Sequence, residues 1–340
     1  MCCDKLLSII IPAYNVEIYV IKCLDSIFSS VNTSDISQIE IIVVNNGSYD
    51  GTRTVLGEYS SLHHINIIDV FPNEGISNAR NRGLKAALGK YIMFMDSDDY
   101  LVEDSLNHIL RVLREEPDVD IVEFGYREQI EGEQASSSRT VVPNVTRGTG
   151  QGIFSSWVKE GCFNALVWIR VVLRSLIIDN GVYFYPNISY EDEEWVPRLF
   201  AYAKKVIFLP VDVYVYRRRL GSVTYGNDAI KVLDMAIVCD SLFDFSKREG
   251  FSGEYVDALR QCASNIYWGM FYGVKRGKEY DEEAIRLLKE RYYLITYSKN
   301  MKRKVFYRMI INICGIKGLY LLRYSKIDIL KSFKRMLNVS

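Results

Sequence analysis

This 340-residue chain lacks most of the features that would assign it quickly to a class. Its seven cysteines, at 2, 3, 23, 162, 239, 262 and 314, form no CxxC pair and no metal-ligand rhythm. That argues against a zinc module or a disulfide scaffold and points to free thiols in a reducing compartment. The opening Met-Cys-Cys-Asp-Lys has no charged n-region, apolar h-region or small-residue cleavage site, so no secretory signal is expected. No run of about eighteen uncharged apolar residues is present, which excludes a spanning helix from the expectations. A cytoplasmic protein is the consequence, possible membrane contact being peripheral. No fixed-period repeat occurs. Net charge is absent too, with 42 basic and 42 acidic residues, and no nucleic-acid partner is expected. The balance hides an asymmetry. Residues 299–340 hold eleven Lys or Arg against the single Asp328, leaving the rest of the chain ten negative charges in excess.

What is there is an ample core, 49% hydrophobic with 25% charged residues, and a length that suits one large α/β domain with an appendage. The most informative stretch runs from Lys90 to Leu101. Tyr91-Ile92-Met93-Phe94-Met95 is a buried strand, and Asp96-Ser97-Asp98-Asp99 follows at once. Carboxylates at the carboxyl end of such a strand sit where open α/β sheets bind ligands, and charges this close need compensation. Oxygen ligands favour a hard divalent ion, Mg2+ or Mn2+. The alternative is an acidic helix start, capped by Ser97 or Asp98.

Strands are expected at Leu6–Pro12, Ile39–Val44 and Ile65–Val70, each followed by a helical pattern, before the strand at 90–95. This alternation predicts a doubly wound, mostly parallel sheet. The first strand ends in Pro12-Ala13-Tyr14-Asn15. The second ends in Asn45-Asn46-Gly47-Ser48-Tyr49-Asp50-Gly51-Thr52, a turn whose residues tolerate unusual backbone angles. Asn73-Glu74-Gly75 opens a helix carrying Arg80 and Arg82. Further on come an amphipathic helix at 103–115, a strand at 119–126, a polar loop or hairpin at 127–150, a strand at 205–209, and helices from about 228. Four acids, Glu191-Asp192-Glu193-Glu194, open another helix, where they would favour its dipole or serve chemistry.

Four of these segments, Ser8 to Asn15, Asn46 to Thr52, Asn73 to Gly83 and Met95 to Asp99, together resemble the nucleotide-sugar half of a family 2 glycosyltransferase of the GT-A fold. The likeness extends to about residue 225. It implies an α/β domain over 1–225, with a nucleotide-sugar half at 1–100 and an acceptor half at 101–225, and a helical region at 226–340. It implies that Pro12, Ala13, Tyr14, Asn15, Asn46 and Arg80 line the nucleotide base, that Asp96 meets the ribose, and that Asp98, with Asp99 second, holds Mn2+ or Mg2+ at the diphosphate. The family's Glu-Asp pair falls at Glu191 and Asp192, with Asp192 as general base and Glu191 the runner-up. Arg217, in a Tyr-x-Tyr-Arg segment, becomes a phosphate contact, and Trp168 to Arg174 a helix beneath the acceptor.

One departure is visible. Asn46 stands where the family carries an Asp, which weakens the case for uridine as the base. The expected activity is inverting transfer of a single sugar from a nucleotide diphosphate sugar, a UDP-sugar first, to a hydroxyl of a growing, lipid-linked bacterial surface glycan. The alternatives are a sugar-nucleotide-forming nucleotidyltransferase, whose glycine-rich loop is missing here, and a silent carbohydrate-binding protein. The basic stretch 299–340, interleaved with apolar residues, suits either contact with an anionic membrane or a cap on the core.

Overall fold

Nearly every residue of strand β1 (Leu7–Ala13) is buried, so both of its faces have to be covered by other elements. The chain supplies them by alternation: α1 (Val20–Ser29), β2 (Ile39–Asn46), α2 (Thr52–Leu62), β3 (Asn66–Val70), α3 (Ile76–Ala86) and β4 (Tyr91–Phe94). β1 pairs in parallel with β2 and β4, and β2 in parallel with β3. The computed structural model describes residues 5–218, 231–274, 282–300, 304, 305 and 315.

The sheet then changes direction. After β5 (Tyr100–Leu101), α4 (Ser105–Glu115), β6 (Ile121–Ile130), β7 (Arg147–Gly148) and α5 (Gly150–Glu160) come β8 (Arg170–Leu173), α6 (Arg174–Asp179), α7 (Glu191–Tyr202) and β9 (Val206–Arg218). Strand order among the described residues is β3-β2-β1-β4-β8-β6-β9-β5, with β7 on β9. β8 runs antiparallel to both β4 and β6, so the sheet is mixed. This is the GT-A architecture expected above.

Two local expectations need correction. The segment from Trp168 to Arg174, expected as a helix, is a short turn at Val167–Ile169 followed by strand β8. Its β-branched run Val171-Val172 fills the gap between β4 and β6, a place that only a strand fits. The strand expected at 205–209 runs on to Arg218 as β9. Its pairing with β6 slips around Gly125, where Pro210, lacking an N–H, cannot join the ladder.

Alternate residues of the parallel strands face opposite layers. Ile9, Ile11, Ile41, Val43 and Met93 join α1, α2 and α4 in one apolar cluster. The opposite face meets α3 at very close range: a Cβ on Gly83 would collide with the Ile10 side chain, so glycine sets how near the helix lies. Phe94, also on that face, packs edge-on against Phe184 and Trp195.

The chain divides into two compact units, one of Met1–Tyr225 with Gly250–Tyr255 and one of Gly226–Glu249 with Val256–Ser340. The second contains α8 (Lys231–Phe245), most of α9 (Gly253–Val274) and α10 (Glu282–Glu290). Arg291 pairs there with Asp240 at 2.5 Å. Most of the basic stretch 299–340, and with it the membrane-or-cap question, lies outside the described residues. No described helix is long and apolar enough to cross a membrane.

One buried ion pair fixes the mixed part of the sheet. The fully buried Arg170 guanidinium bonds Glu123 on the neighbouring strand at 2.8 Å and donates to the carbonyls of Leu166 and Asn164. Removing one partner strands a charge away from water. Glu123→Ala is expected to cost about 3–5 kcal/mol, read as a lower urea midpoint at unchanged slope, whereas an exposed pair such as Lys247–Asp244 should shift it little.

Candidate active site

The loops that leave β1 and β2 at their carboxyl ends are laced to each other. The Asn15 N–H donates to Ser48 Oγ, and Asn15 Oδ1 accepts from the Tyr49 N–H. The Val16 N–H donates to Thr52 Oγ1 at 2.8 Å, and Glu17 accepts from the Gly51 N–H. Asn15 holds a left-handed φ of 52°, which asparagine tolerates. Pro12, Ala13, Tyr14 and Asn15 thus lie on one rim of the sheet, with the Tyr14 ring edge-on to Tyr49. This rim is where open α/β sheets take ligands.

The carboxylates after β4 part company. Asp99 is buried, and both its oxygens are used: Oδ2 accepts from the Tyr214 hydroxyl at 2.8 Å and Oδ1 from the Arg217 N–H at 2.7 Å. Tyr214 in turn accepts from the Asp96 N–H. Asp99, expected as a second metal residue, is buried and ties β9 to the turn through these two bonds. Burial, then Asp98 and Asp96, hold its carboxyl well above the usual range. Asp98 is half-buried.

Pinning β9 also sets Arg217. Its guanidinium lies over the rings of Tyr19 and Tyr100, at 5.1 and 5.4 Å. Its Nε and Nη2 are buried with no hydrogen-bond partner among the described residues. Lys22 sits 4.0 Å from the Tyr100 ring centre, a second cation on the same aromatic. Tyr19 and Lys22 carry no signal in the sequence, and Tyr100 and Tyr214 lie in segments that stand out there without any sign that they meet. They look like ordinary helix and strand residues, and only the tertiary pairing gathers them.

Across the site stands α7. Its four acids take four different environments. Glu191 is bonded by Arg80 Nη1 at 2.5 Å, and Arg80 Nη2 reaches Asp96 at 3.0 Å. Arg80 is buried. Burial opposes its charge, but Asp96 and Glu191 outweigh that and raise its pKa. Asp96 is raised by burial against the pull of Arg80. Asp192 Oδ1 accepts from the neighbouring Glu193 N–H, and burial followed by the Glu191 carboxylate pushes its pKa up to about 6. Glu193 is pushed up to about 7 by burial and then Asp192, while Glu194 pairs with Arg198. Arg82 is exposed and pairs with Glu74.

Asn46, expected at the nucleotide base, is buried and committed to the protein. Its Nδ2 donates to Asn73 Oδ1 and to the Gly75 carbonyl, and its Oδ1 accepts from the Glu74 N–H. It braces the turn that opens α3, against which Gly47 also packs tightly.

A divalent ion fits this donor set only in a limited way. With Asp99 filled and one Asp96 oxygen taken by Arg80, Asp98 remains the principal carboxylate, and no cluster of three or more acidic, His or Cys side chains closes on an ion among the described residues. Mg2+ and Mn2+ are often held this way, by one or two carboxylates with waters and substrate phosphates supplying the rest.

The contacts of Asn46 predict that restoring an acid there is harmful. Asn46→Asp would set a carboxylate oxygen against two acceptor oxygens, and is expected to destabilise the fold by about 1–3 kcal/mol, measured by urea unfolding; a variant as stable as the parent would contradict the bracing role.

Comparison with known proteins agrees with the architecture. Residues 8–175 match the family model described as glycosyl transferase family 2. The uncharacterized glycosyltransferase EpsJ of Bacillus subtilis is 34% identical over 227 residues, which cover 64% of this chain and 63% of that protein. Glycosyltransferase GlyA of Streptococcus pneumoniae is 29% identical over 66% of this chain, but the match spans only 32% of its length. The chain therefore spans less than two thirds of either relative. Among solved structures, S. aureus TarS 1-349 in complex with UDP-GlcNAc superposes with a TM-score of 0.69 at 18% identity, over 93% of this chain and 89% of that one, a likeness of fold. The domain that carries these strand-end loops, residues 8–175, belongs to glycosyl transferase family 2.

Proposed function

We propose that the protein transfers a single sugar, with inversion, from a nucleotide diphosphate sugar to a hydroxyl of a bacterial surface glycan. The observation that carries this reading is Arg80: one buried guanidinium joins Asp96, on the donor rim, to Glu191, the residue before Asp192. Donor-side and acceptor-side carboxylates are thereby held in one site. Relatives named for surface polymers, such as the minor teichoic acid biosynthesis protein GgaB of B. subtilis, support the acceptor class. The acceptor is lipid-linked in this reading, and the basic stretch 299–340 would hold the protein against anionic lipid.

In the reaction Asp192 takes the proton of the attacking hydroxyl. Its raised pKa of about 6 leaves it mostly ionised at neutral pH yet basic enough to share a proton in the transition state. Asp98 would hold Mg2+ or Mn2+, which supplies charge neutralisation at the leaving diphosphate. Arg217, with two buried donors that have no hydrogen-bond partner among the described residues, supplies a fork suited to phosphate oxygens, and Lys22 adds positive charge nearby. Pro12 to Asn15 line the nucleoside, and Asp96 meets the ribose with its remaining oxygen. Asn46 acts on the nucleoside only through the turn that it braces.

Donors are best screened by turnover with Mn2+, starting with UDP-GlcNAc, the ligand in the TarS structure, against GDP-mannose, the ligand in the mannosyltransferase PcManGT structure from Pyrobaculum calidifontis. Asp192→Asn should lower turnover by roughly 10²- to 10⁴-fold with nucleotide affinity retained. Asp98→Ala should remove the Mn2+ dependence of nucleotide binding. Because the base must be deprotonated, kcat/KM should fall as pH drops through about 6. Normal transfer by Asp192→Asn would refute the base assignment, and failure to turn over any nucleotide sugar would favour a silent binding protein.

A further inference from the structure

Asp192 is delivered by a segment whose own sequence does not favour its conformation. Asn187 and Tyr190 both adopt left-handed φ values, 57° and 63°; asparagine tolerates this, but for Tyr190 it is costly and persists only where the surroundings hold it. Those holds can be located. At the near end the Trp195 Nε1 donates to the Val182 carbonyl, and the Phe184 ring stacks on Trp195 with centroids 4.3 Å apart. Arg198, on α7 itself, donates to the Tyr183 carbonyl at 2.8 Å. Further holds come from α3.

Three residues of α3 reach the segment. Asn78 Nδ2 donates to Asn187 Oδ1 at 3.1 Å, and Arg80 bonds Glu191. Asn81 does something more specific. Its Nδ2 donates to the Phe184 carbonyl at 2.9 Å, and its Oδ1 accepts from the Phe184 N–H at 3.0 Å. A side-chain amide thus pairs with a peptide group as a neighbouring strand would. Only asparagine or glutamine offers a donor and an acceptor in that geometry, and glutamine is one methylene longer.

We propose that Asn81 is a positioning residue for sugar transfer, clamping the 182–191 segment through both backbone groups of Phe184 so that Asp192 is presented to the acceptor. Asn78 assists at Asn187. The proposal rests on the reading of Asp192 as the base, and it separates two roles on one helix. Arg80 touches the donor-side carboxylate, whereas Asn81 faces only the segment that carries the base.

The test uses the full chain with Asn81→Ala and Asn81→Asp, the latter keeping the acceptor for the Phe184 N–H but opposing its carbonyl with an oxygen. Hydrogen exchange of amides 183–191 should accelerate by roughly 10- to 100-fold, the loss of two hydrogen bonds, with β1 and β4 unchanged. Turnover of the screened donor should fall by a similar factor in kcat, while the affinity for UDP with Mn2+ stays within about twofold, since a base displaced by about 1 Å already costs that much. Asn78→Ala, at an exposed contact the fold should tolerate, is expected to move the same readouts in the same direction by less. Faster exchange with unaltered kcat would overturn the proposal by making the clamp purely structural. Parallel loss of UDP affinity would overturn it by assigning Asn81 to the donor. A parent protein that turns over no nucleotide sugar, with exchange responding as expected, would instead overturn the transferase reading and leave the clamp standing.

Discussion

A single buried guanidinium organises this site. Removing Arg80 from water is costly, and the cost is offset only because Asp96 and Glu191 both bond it. The two acids come from elements far apart in sequence, the turn after β4 and the start of α7. Each needs the arginine as much as the arginine needs them, since Asp96 is itself buried enough to be pushed toward neutrality. The triad therefore works as a register pin. It fixes where the second half of the domain stands against the rim formed by the β1 and β2 loops, and the carboxylates around it settle into different environments.

That division of labour is environmental rather than chemical. Asp96, Asp98 and Asp99 lie within four positions, yet one is ion-paired, one is half-buried and one is wholly inside, bonded by a tyrosine hydroxyl and a backbone N–H. The same holds on α7, where Glu191 neutralises Arg80, Glu194 pairs with Arg198, and Asp192 keeps a pKa near that of a working base. Helix-dipole attraction alone would treat the four acids of that first turn nearly alike.

The aromatic residues perform a comparable sorting for cations. Trp168 stacks on Tyr214 at 4.3 Å and lies parallel to Tyr216, which stiffens the part of β9 that ends in Arg217. Arg217 then rests on Tyr19 and Tyr100, rings that shield its stem without consuming its hydrogen-bond donors. A cation held in this way is pre-organised for an anion, because little side-chain freedom remains to be lost on binding.

The sequence by itself determined the parallel half of the fold and the sheet edge at which the candidate site lies. Uninterrupted apolar runs such as Ile9-Ile10-Ile11 and Ile41 to Val44 can only be strands covered on both faces, and the polar turns and acids that end them mark the ligand-binding edge. It also located the acidic start of α7. What the sequence did not decide were the partners. Val171-Val172 reads as helix or strand until β4 and β6 leave a strand-wide gap, and Pro210 does not end a strand whose neighbour can slip past it. Asn46 looks like a weakened acid until its amide is seen bonded to Asn73 and Gly75, and nothing near Asp99 in the chain shows that Tyr214 and Arg217 reach it from more than a hundred residues away. A residue's type fixes which bonds it can make. Which of them it does make depends on long-range burial and pairing, and those exist only once the chain has folded.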